Sequence, residues 1–330
     1  MTESALRIDD GRSASTARRI AEMRHDVAAG LKRVQKELPP KYFYDVRGSE
    51  LFEEITRLDE YYPTRTERVL LEQWIPVWIE RHRPRSLVEL GAGSAEKTRV
   101  ILEAMLATRP DAQYVPLDVS AEFLEETATR MRAEYPGLDV IPCVADFSRR
   151  LILPAELRHP ALHAFLGSTI GNLEPLAAVH LLERISEQMQ PEGDDRFLLG
   201  VDLHKAVGRI ELAYNDARGV TAEFNRNVLH VLNRELGANF EVDAFEHRAF
   251  YDEAEHRIEM HLVATKGMTV RIPTLEPVRL RSGETIRTEI SCKYERAQVT
   301  RMLRDAGLVV EEWVSDGELL YALVLATLAD

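Results

Sequence analysis

The sequence predicts an α/β fold built on a mostly parallel sheet, and three observations predict it. From about residue 65 to 204, apolar strand-like runs alternate with amphipathic helical stretches, the pattern of βαβ units. The run Ser86-Leu87-Val88-Glu89-Leu90-Gly91-Ala92-Gly93-Ser94 reads as a buried strand that ends in a Gly-x-Gly turn and feeds a helix from about Ser94. After residue 292 the same character returns, with a helix followed by two strand-like runs.

The first 25 or so residues read as a loosely held arm followed by helix. Leu38-Pro39-Pro40 breaks any helix there, because proline lacks the amide donor and crowds the preceding turn. Strands are expected at 86–90, 112–119, 139–144, 162–166 and 197–203, with 176–189 a helical crossover. Beyond Lys205 the pattern changes to one helical region, 206–236, and short alternating runs at 257–264, 268–272 and 284–290 that suggest antiparallel strands. A helix at 296–306 and strands at 309–314 and 319–328, parted by Ser315-Asp316-Gly317, complete the chain. A cofactor domain is therefore expected at 66–203 and 293–330. It is interrupted by material at 1–65 and 204–292 that forms an α+β substrate-binding domain.

Composition bounds the function. The chain has 330 residues, 45% of them hydrophobic and 29% charged, which suits a soluble globular protein with a sizeable core. Its formal net charge of −13 argues against nucleic acid or an anionic membrane as partner and leaves a small molecule. Absence of a long apolar run or a signal-like start leads to the expectation of a cytoplasmic protein, and a monomer is expected. Cys143 and Cys292 stand far apart, so neither a disulfide framework nor a thiolate metal site is expected. The 10 histidines include no His-x-x-x-His pair on a Glu-bearing helix, and no metal cofactor is expected.

The strand ends carry the chemistry. Gly91 permits a sharp turn and Gly93 leaves bare backbone beside a ligand, while a third glycine is missing where Glu96 stands. A pyrophosphate is poorly seated by such a loop, and a nucleoside cofactor without phosphates, S-adenosylmethionine foremost, fits better. Asp118 ends the second strand-like run, where a carboxylate can accept both ribose hydroxyl protons. Asp146 and Phe147 end the third and suit an adenine amine and an adenine face. Any one such acid is more often a helix cap or a solvated loop residue, but successive strand ends make a ligand the better reading.

Several stretches resemble the histidine-specific, S-adenosylmethionine-dependent Nα-methyltransferases of the ergothioneine pathway. They are Lys41-Tyr42-Phe43-Tyr44-Asp45, Ile55-Thr56-Arg57-Leu58-Asp59-Glu60-Tyr61-Tyr62-Pro63-Thr64-Arg65-Thr66-Glu67, Glu89-Leu90-Gly91-Ala92-Gly93-Ser94 and Phe165-Leu166-Gly167-Ser168-Thr169-Ile170-Gly171-Asn172. Two more lie later, Gly219-Val220-Thr221-Ala222-Glu223-Phe224-Asn225-Arg226-Asn227 and Thr288-Glu289-Ile290-Ser291-Cys292-Lys293. The resemblance implies a Rossmann-like class I methyltransferase fold and three methyl transfers to the α-amine of L-histidine, giving hercynine and three S-adenosylhomocysteines.

The same resemblance implies site residues. Tyr44, Gly91, Lys97, Asp118, Asp146 and Phe147 would hold the cofactor. Lys97 is a cation in a first helical turn, which opposes the helix dipole, so a carboxylate partner is needed and the methionine carboxylate would supply it. A surface lysine is the competing reading. For the substrate the resemblance points to Tyr61, Asn172, Tyr214, Met260, Glu289 and Ser291. Tyr61 and Asn172 would orient the reacting amine, Tyr214 and Ser291 would hold the carboxylate, and Glu289 would accept the imidazole N–H beside Met260. Against these stand an Asn172 that caps the Leu173-Glu174-Pro175 turn and a Glu289 that faces water from its strand.

Three other functions compete: the same chemistry on another aromatic amino acid such as tryptophan, a nucleotide-dependent oxidoreductase, and a protein that binds S-adenosylmethionine without turnover. The missing third glycine weighs against the oxidoreductase. Retention of Asn172, Glu289 and both substrate tyrosines weighs against an inactive protein.

Overall fold

The computed structural model describes residues 3–119, 121–145 and 151–329. They divide into two compact units. One comprises Glu53–Ala213, Tyr251–Ile258 and Ile290–Asp330, the other Met1–Phe52, Tyr214–Phe250 and Glu259–Glu289.

The first unit is built on a long sheet whose strands are β1 (Ser86–Leu90), β2 (Gln113–Asp118), β3 (Asp139–Val140), β4 (Ala161–Phe165), β5 (Arg196–Asp202), β6 (Leu308–Ser315) and β7 (Tyr321–Leu328). Their order is β3-β2-β1-β4-β5-β7-β6, and the two-residue strand Cys143–Val144 also pairs with β2. The strands β3, β2, β1, β4 and β5 run parallel, whereas β7 is antiparallel to both β5 and β6. A parallel sheet whose strand order reverses at β1 and that closes with an antiparallel hairpin is the Rossmann-like class I methyltransferase arrangement that the resemblance implies.

Successive side chains of a strand point to opposite faces, so a sheet buried on both sides reads as continuous apolar runs. Accordingly Val88 and Leu90 pack with Leu181 and Ile185 of the helix Pro175–Ser186 and with Leu303 of the helix Arg296–Asp305. Leu87 packs on the other face with Leu71 and Ile75 of the helix Tyr62–His82 and with Ile101 and Met105 of the helix Thr98–Thr108. Register aligns the strand ends: Leu90 lies opposite Leu117 on one side and Phe165 on the other, and Phe165 opposite Leu199. The residues that follow β1, β2, β4 and β5 therefore emerge at one edge, where open α/β sheets bind ligands.

The second unit contains the helices Glu3–Gly30 and Val220–Leu236. A second sheet has the strand order Lys36–Glu37, Thr285–Cys292, Arg257–Ala264, Phe245–Asp252, with most of its residues in this unit and residues 251–252, 257–258 and 290–292 in the first; a hairpin pairs Met268–Val270 with Val278–Leu280.

Among the elements that differ from expectation, three have a local cause. The helical region 206–236 is two helices, Val207–Tyr214 and Val220–Leu236, because Gly219 adopts φ +75° and the Asp216 carboxylate accepts the Val220 and Thr221 amides. The strand at 139–144 is broken in two around Pro142, which has no amide to give a ladder. The helix after β1 starts at Thr98 rather than Ser94, since Gly91, Gly93 and Ala95 all take positive φ and hold the intervening segment as a loop.

Candidate active site

The loop after β1 is anchored by its own backbone. The amides of Gly91 and Ala92 both donate to the Leu117 carbonyl, at 2.8 and 3.1 Å, and the Gly93 amide donates to Asp118 Oδ2 at 3.2 Å. Gly91 and Asp118 are thus neighbours at the sheet edge. A side chain at Gly93 would meet nothing within 4 Å, but its φ of +50° favours glycine, so the loop offers bare backbone to open space. These features fit a cofactor with a ribose near Asp118 and no phosphate against the loop.

Lys97 sits at the N-cap of the helix Thr98–Thr108, and its ammonium is ion-paired with the Glu67 carboxylate. A carboxylate of this chain, Glu67, thus meets the cation at this helix position. Glu67 is fully buried and also accepts the Gly167 amide at 2.7 Å and the Tyr321 hydroxyl at 2.6 Å. Burial, and next the Glu67 charge, push the Tyr321 hydroxyl well above its usual pKa. Gly200 of β5 makes this arrangement possible, since a Cβ there would lie 2.2 Å from Glu67 Oε1.

Tyr61, Asn172 and Ser291 belong to the same unit, and a network at the end of β5 joins Ser291 to Tyr62. Tyr61 is buried at the N-cap of the helix Tyr62–His82, and Arg65 fixes its loop by donating to the carbonyls of Leu58 at 2.9 Å, Tyr61 at 3.2 Å and Asp59. The next residue, Tyr62, bonds both Asp202 oxygens at 2.9 Å. Asp202 also holds the ammonium groups of Lys205 and Lys293, and Lys293 donates to Ser291 Oγ at 2.8 Å. Burial pushes Lys205 down to about 8 against the pull of Asp202. Asn172 ends the short 3₁₀ turn Thr169–Asn172, which follows the strand end of β4. That turn lies on the Ser291 segment, for a Cβ on Gly171 would be 2.9 Å from the Cys292 carbonyl. The helix Pro175–Ser186 that follows has Glu174 as N-cap without a side-chain cap.

Tyr44, Tyr214, Met260 and Glu289 belong to the other unit. Tyr44 is half-buried and packs edge-on against Phe52 and Phe224, with ring centroids 5.7 and 5.6 Å away. Tyr214 and Met260 are buried. Glu289 is half-buried and shares a strand face with Thr285 and Arg287. A polar chain links the Tyr214 and Met260 backbones and the residue before Glu289. Asn225 donates to His247 Nδ1 at 2.9 Å and to the His261 carbonyl at 3.0 Å, so His247 carries its proton on Nε2 and donates it to the Tyr214 carbonyl at 2.8 Å. The Thr288 hydroxyl, next to Glu289, lies 2.6 Å from Asn225 Oδ1 and 3.0 Å from the Met260 carbonyl. Burial keeps His247 below its usual pKa, which favours the neutral ring this chain requires. Asp146 and Phe147 lie outside the described residues.

A family model described as histidine-specific, SAM-dependent methyltransferase matches residues 23–328. The chain belongs to this family. It is 45% identical over 307 residues to the histidine N-alpha-methyltransferase of Mycolicibacterium smegmatis, covering 92% of this chain and 94% of that protein. It is also 45% identical over 306 residues to the histidine N-alpha-methyltransferase of Mycobacterium tuberculosis, covering 92% and 94%. Ergothioneine biosynthesis protein 1 of Neurospora crassa is 30% identical over 295 residues, 86% of this chain and 32% of that longer protein. For a family member the S-adenosylmethionine dependence agrees with a loop that lacks the third glycine of a pyrophosphate site, Glu96 standing in its place. Among the described residues no helix is long and apolar enough to cross a membrane.

Sequence reasoning did not assign Glu67, Asp202, Lys205 or Lys293. Glu67 had a visible signal, an acid on the same helical stripe as Leu70, Leu71 and Ile75, where an ionisable group must be partnered. Lys293 had a weaker one, a cation inside the buried run from Ile290 to Tyr294.

Proposed function

We propose that this chain transfers three methyl groups in turn from S-adenosylmethionine to the α-amine of L-histidine, giving hercynine and three S-adenosylhomocysteines, the first step of ergothioneine biosynthesis. The observation that carries the reading is the family match across residues 23–328. S-adenosylmethionine, when bound, supplies an electrophilic methyl group on a sulfonium. The protein's task is then to hold an unprotonated amine in line with that methyl and keep water out, because the amine is itself the nucleophile.

In this reading Tyr44, Gly91, Lys97, Asp118, Asp146 and Phe147 hold the cofactor. Asn172 accepts an N–H of the reacting amine through its amide oxygen, a role supported by its place at the end of the turn that follows β4. Tyr61 presents its ring and hydroxyl to the same amine. Ser291 and Tyr214 hold the substrate carboxylate, and Glu289 beside Met260 accepts the imidazole N–H.

A panel of the 20 amino acids with methyl donor, read by mass spectrometry, tests the proposal. Histidine and its mono- and dimethylated forms should be converted to the trimethylated product and the others left unmodified. Comparable methylation of tryptophan, or unmodified histidine, would overturn it.

A further inference from the structure

The group behind Ser291 is chemically unusual. Lysine is almost never fully buried without a partner, since desolvating an ammonium is costly. Lys293 has a side chain with 0% exposure, and its Nζ lies 2.8 Å from Asp202 Oδ2 and 2.8 Å from Ser291 Oγ. An ammonium can only donate, so Ser291 Oγ must be the acceptor in that bond. The single hydroxyl proton of Ser291 is then directed away from Lys293. A hydroxyl whose oxygen already accepts from a cation is also the stronger donor through its own proton. Ser291 is 3% exposed, so the direction imposed on it is not averaged out by water. Asp202 holds Lys293 from the other side, while Lys205 and Tyr62 hold Asp202.

We infer that Lys293 is a positioning residue that fixes Ser291 as a hydrogen-bond donor to the carboxylate of the substrate, and so restricts the enzyme to free α-amino acids over amines that lack a carboxylate. The inference rests on the proposed placement of Ser291 at that carboxylate. Lys293 does not touch substrate; it acts through the serine hydroxyl and through its positive charge one hydrogen bond behind it.

Calorimetric binding of L-histidine and of histamine, which lacks only the carboxylate, to the full chain saturated with S-adenosylhomocysteine tests this. Lys293→Met should weaken L-histidine by about 10- to 100-fold, the range of a charge-assisted hydrogen bond. Histamine should change by less than about 3-fold, within the worth of an indirect contact. Ser291→Ala should show the same selectivity, and the double variant should be little weaker than Ser291→Ala alone, because the effect passes through the hydroxyl. Lys293→Gln keeps a donor without the charge and should fall between wild type and Lys293→Met; it decides the matter by the same ratio if the methionine variant does not fold. Equal weakening of both ligands, or no weakening of either, by the Lys293 variants would overturn the inference. If Ser291→Ala discriminates and the Lys293 variants do not, the inference alone fails. If Ser291→Ala does not discriminate either, the placement of Ser291 fails with it.

Discussion

The ammonium of Lys97 is held by the carboxylate of Glu67, a residue with no exposed side-chain surface. This pair joins the start of the helix after the glycine loop to the helix Tyr62–His82, and Glu67 extends the link to Gly167 after β4 and to Tyr321 of β7. Two neighbouring strand-end loops are thereby fixed to one buried charge.

Glu67→Gln should cost stability. The substitution keeps the shape but removes the charge from Lys97, and breaking a buried pair from one side costs about 3–5 kcal/mol. The Lys97 side chain retains 23% exposure, so water relieves part of that loss and a value of about 2–3 kcal/mol is expected. Urea unfolding of the two proteins measures it. An unchanged midpoint would show that the pair adds nothing to the fold.

Asn172→Ala should slow the first methyl transfer most. An amide oxygen can orient the amine only while an N–H remains, and each transfer removes one. A first-step rate lowered on the order of 100-fold, as small misplacements of a nucleophile produce, is expected with a smaller effect on the third. Rapid-quench mass spectrometry starting from histidine and from its dimethylated form separates the steps. Equal rates in variant and wild type at the first step would remove Asn172 from the amine site.

Most of the fold could be read from the chain because its cause is local. Burial on both faces forces strands such as β1 and β7 to be continuously apolar, and that pattern survives in one dimension. The glycine loop and Asp118 were equally visible, since a strand end and a turn lie side by side in sequence. The partners of Lys97 and Asn225 lie far away along the chain, at Glu67 and at Thr288 or His247, and no periodicity connects them. The start of the helix after β1 was misplaced for a local reason: Ala95 takes a left-handed φ of 55° that its side chain gives no cause to expect.

Glu289→Ala should relax selectivity for the side chain. A carboxylate that must hydrogen-bond its ligand rejects an analogue lacking the N–H by several powers of ten, whereas an apolar pocket discriminates weakly. The preference for histidine over phenylalanine, as a ratio of kcat/KM, should fall by at least about 100-fold, chiefly through loss on histidine. Competition assays with both amino acids present give the ratio directly. Undiminished selectivity would assign the discrimination to another residue.

Glu89→Gln should change how stability depends on pH. Glu89 is buried in β1, accepts the Tyr114 hydroxyl at 2.6 Å and the Thr98 hydroxyl at 2.8 and 2.7 Å, and is pushed up to about 7 chiefly by burial, which those hydrogen bonds only partly offset. In the unfolded chain a glutamate ionises near 4.3. Between about pH 4.3 and 7 the folded protein holds a proton that the unfolded chain has lost, so this site's contribution falls as pH rises and levels off above 7. Asp195 works in the opposite sense and in another range. Burial opposes its charge, but hydrogen bonds from His163, His159 and the Gln190 and Ala161 amides hold it down at about 2. Its contribution is present above its unfolded value near 3.9 and is lost as pH falls from there through 2. Glutamine at position 89 is neutral throughout and still accepts a hydroxyl. The variant should therefore resemble wild type near pH 4.5 and exceed it by about 3–4 kcal/mol at pH 8, the order that a shift of this size carries. Urea unfolding at both pH values measures the difference, and parallel pH curves for the two proteins would show that Glu89 ionises in the folded chain as it does in water.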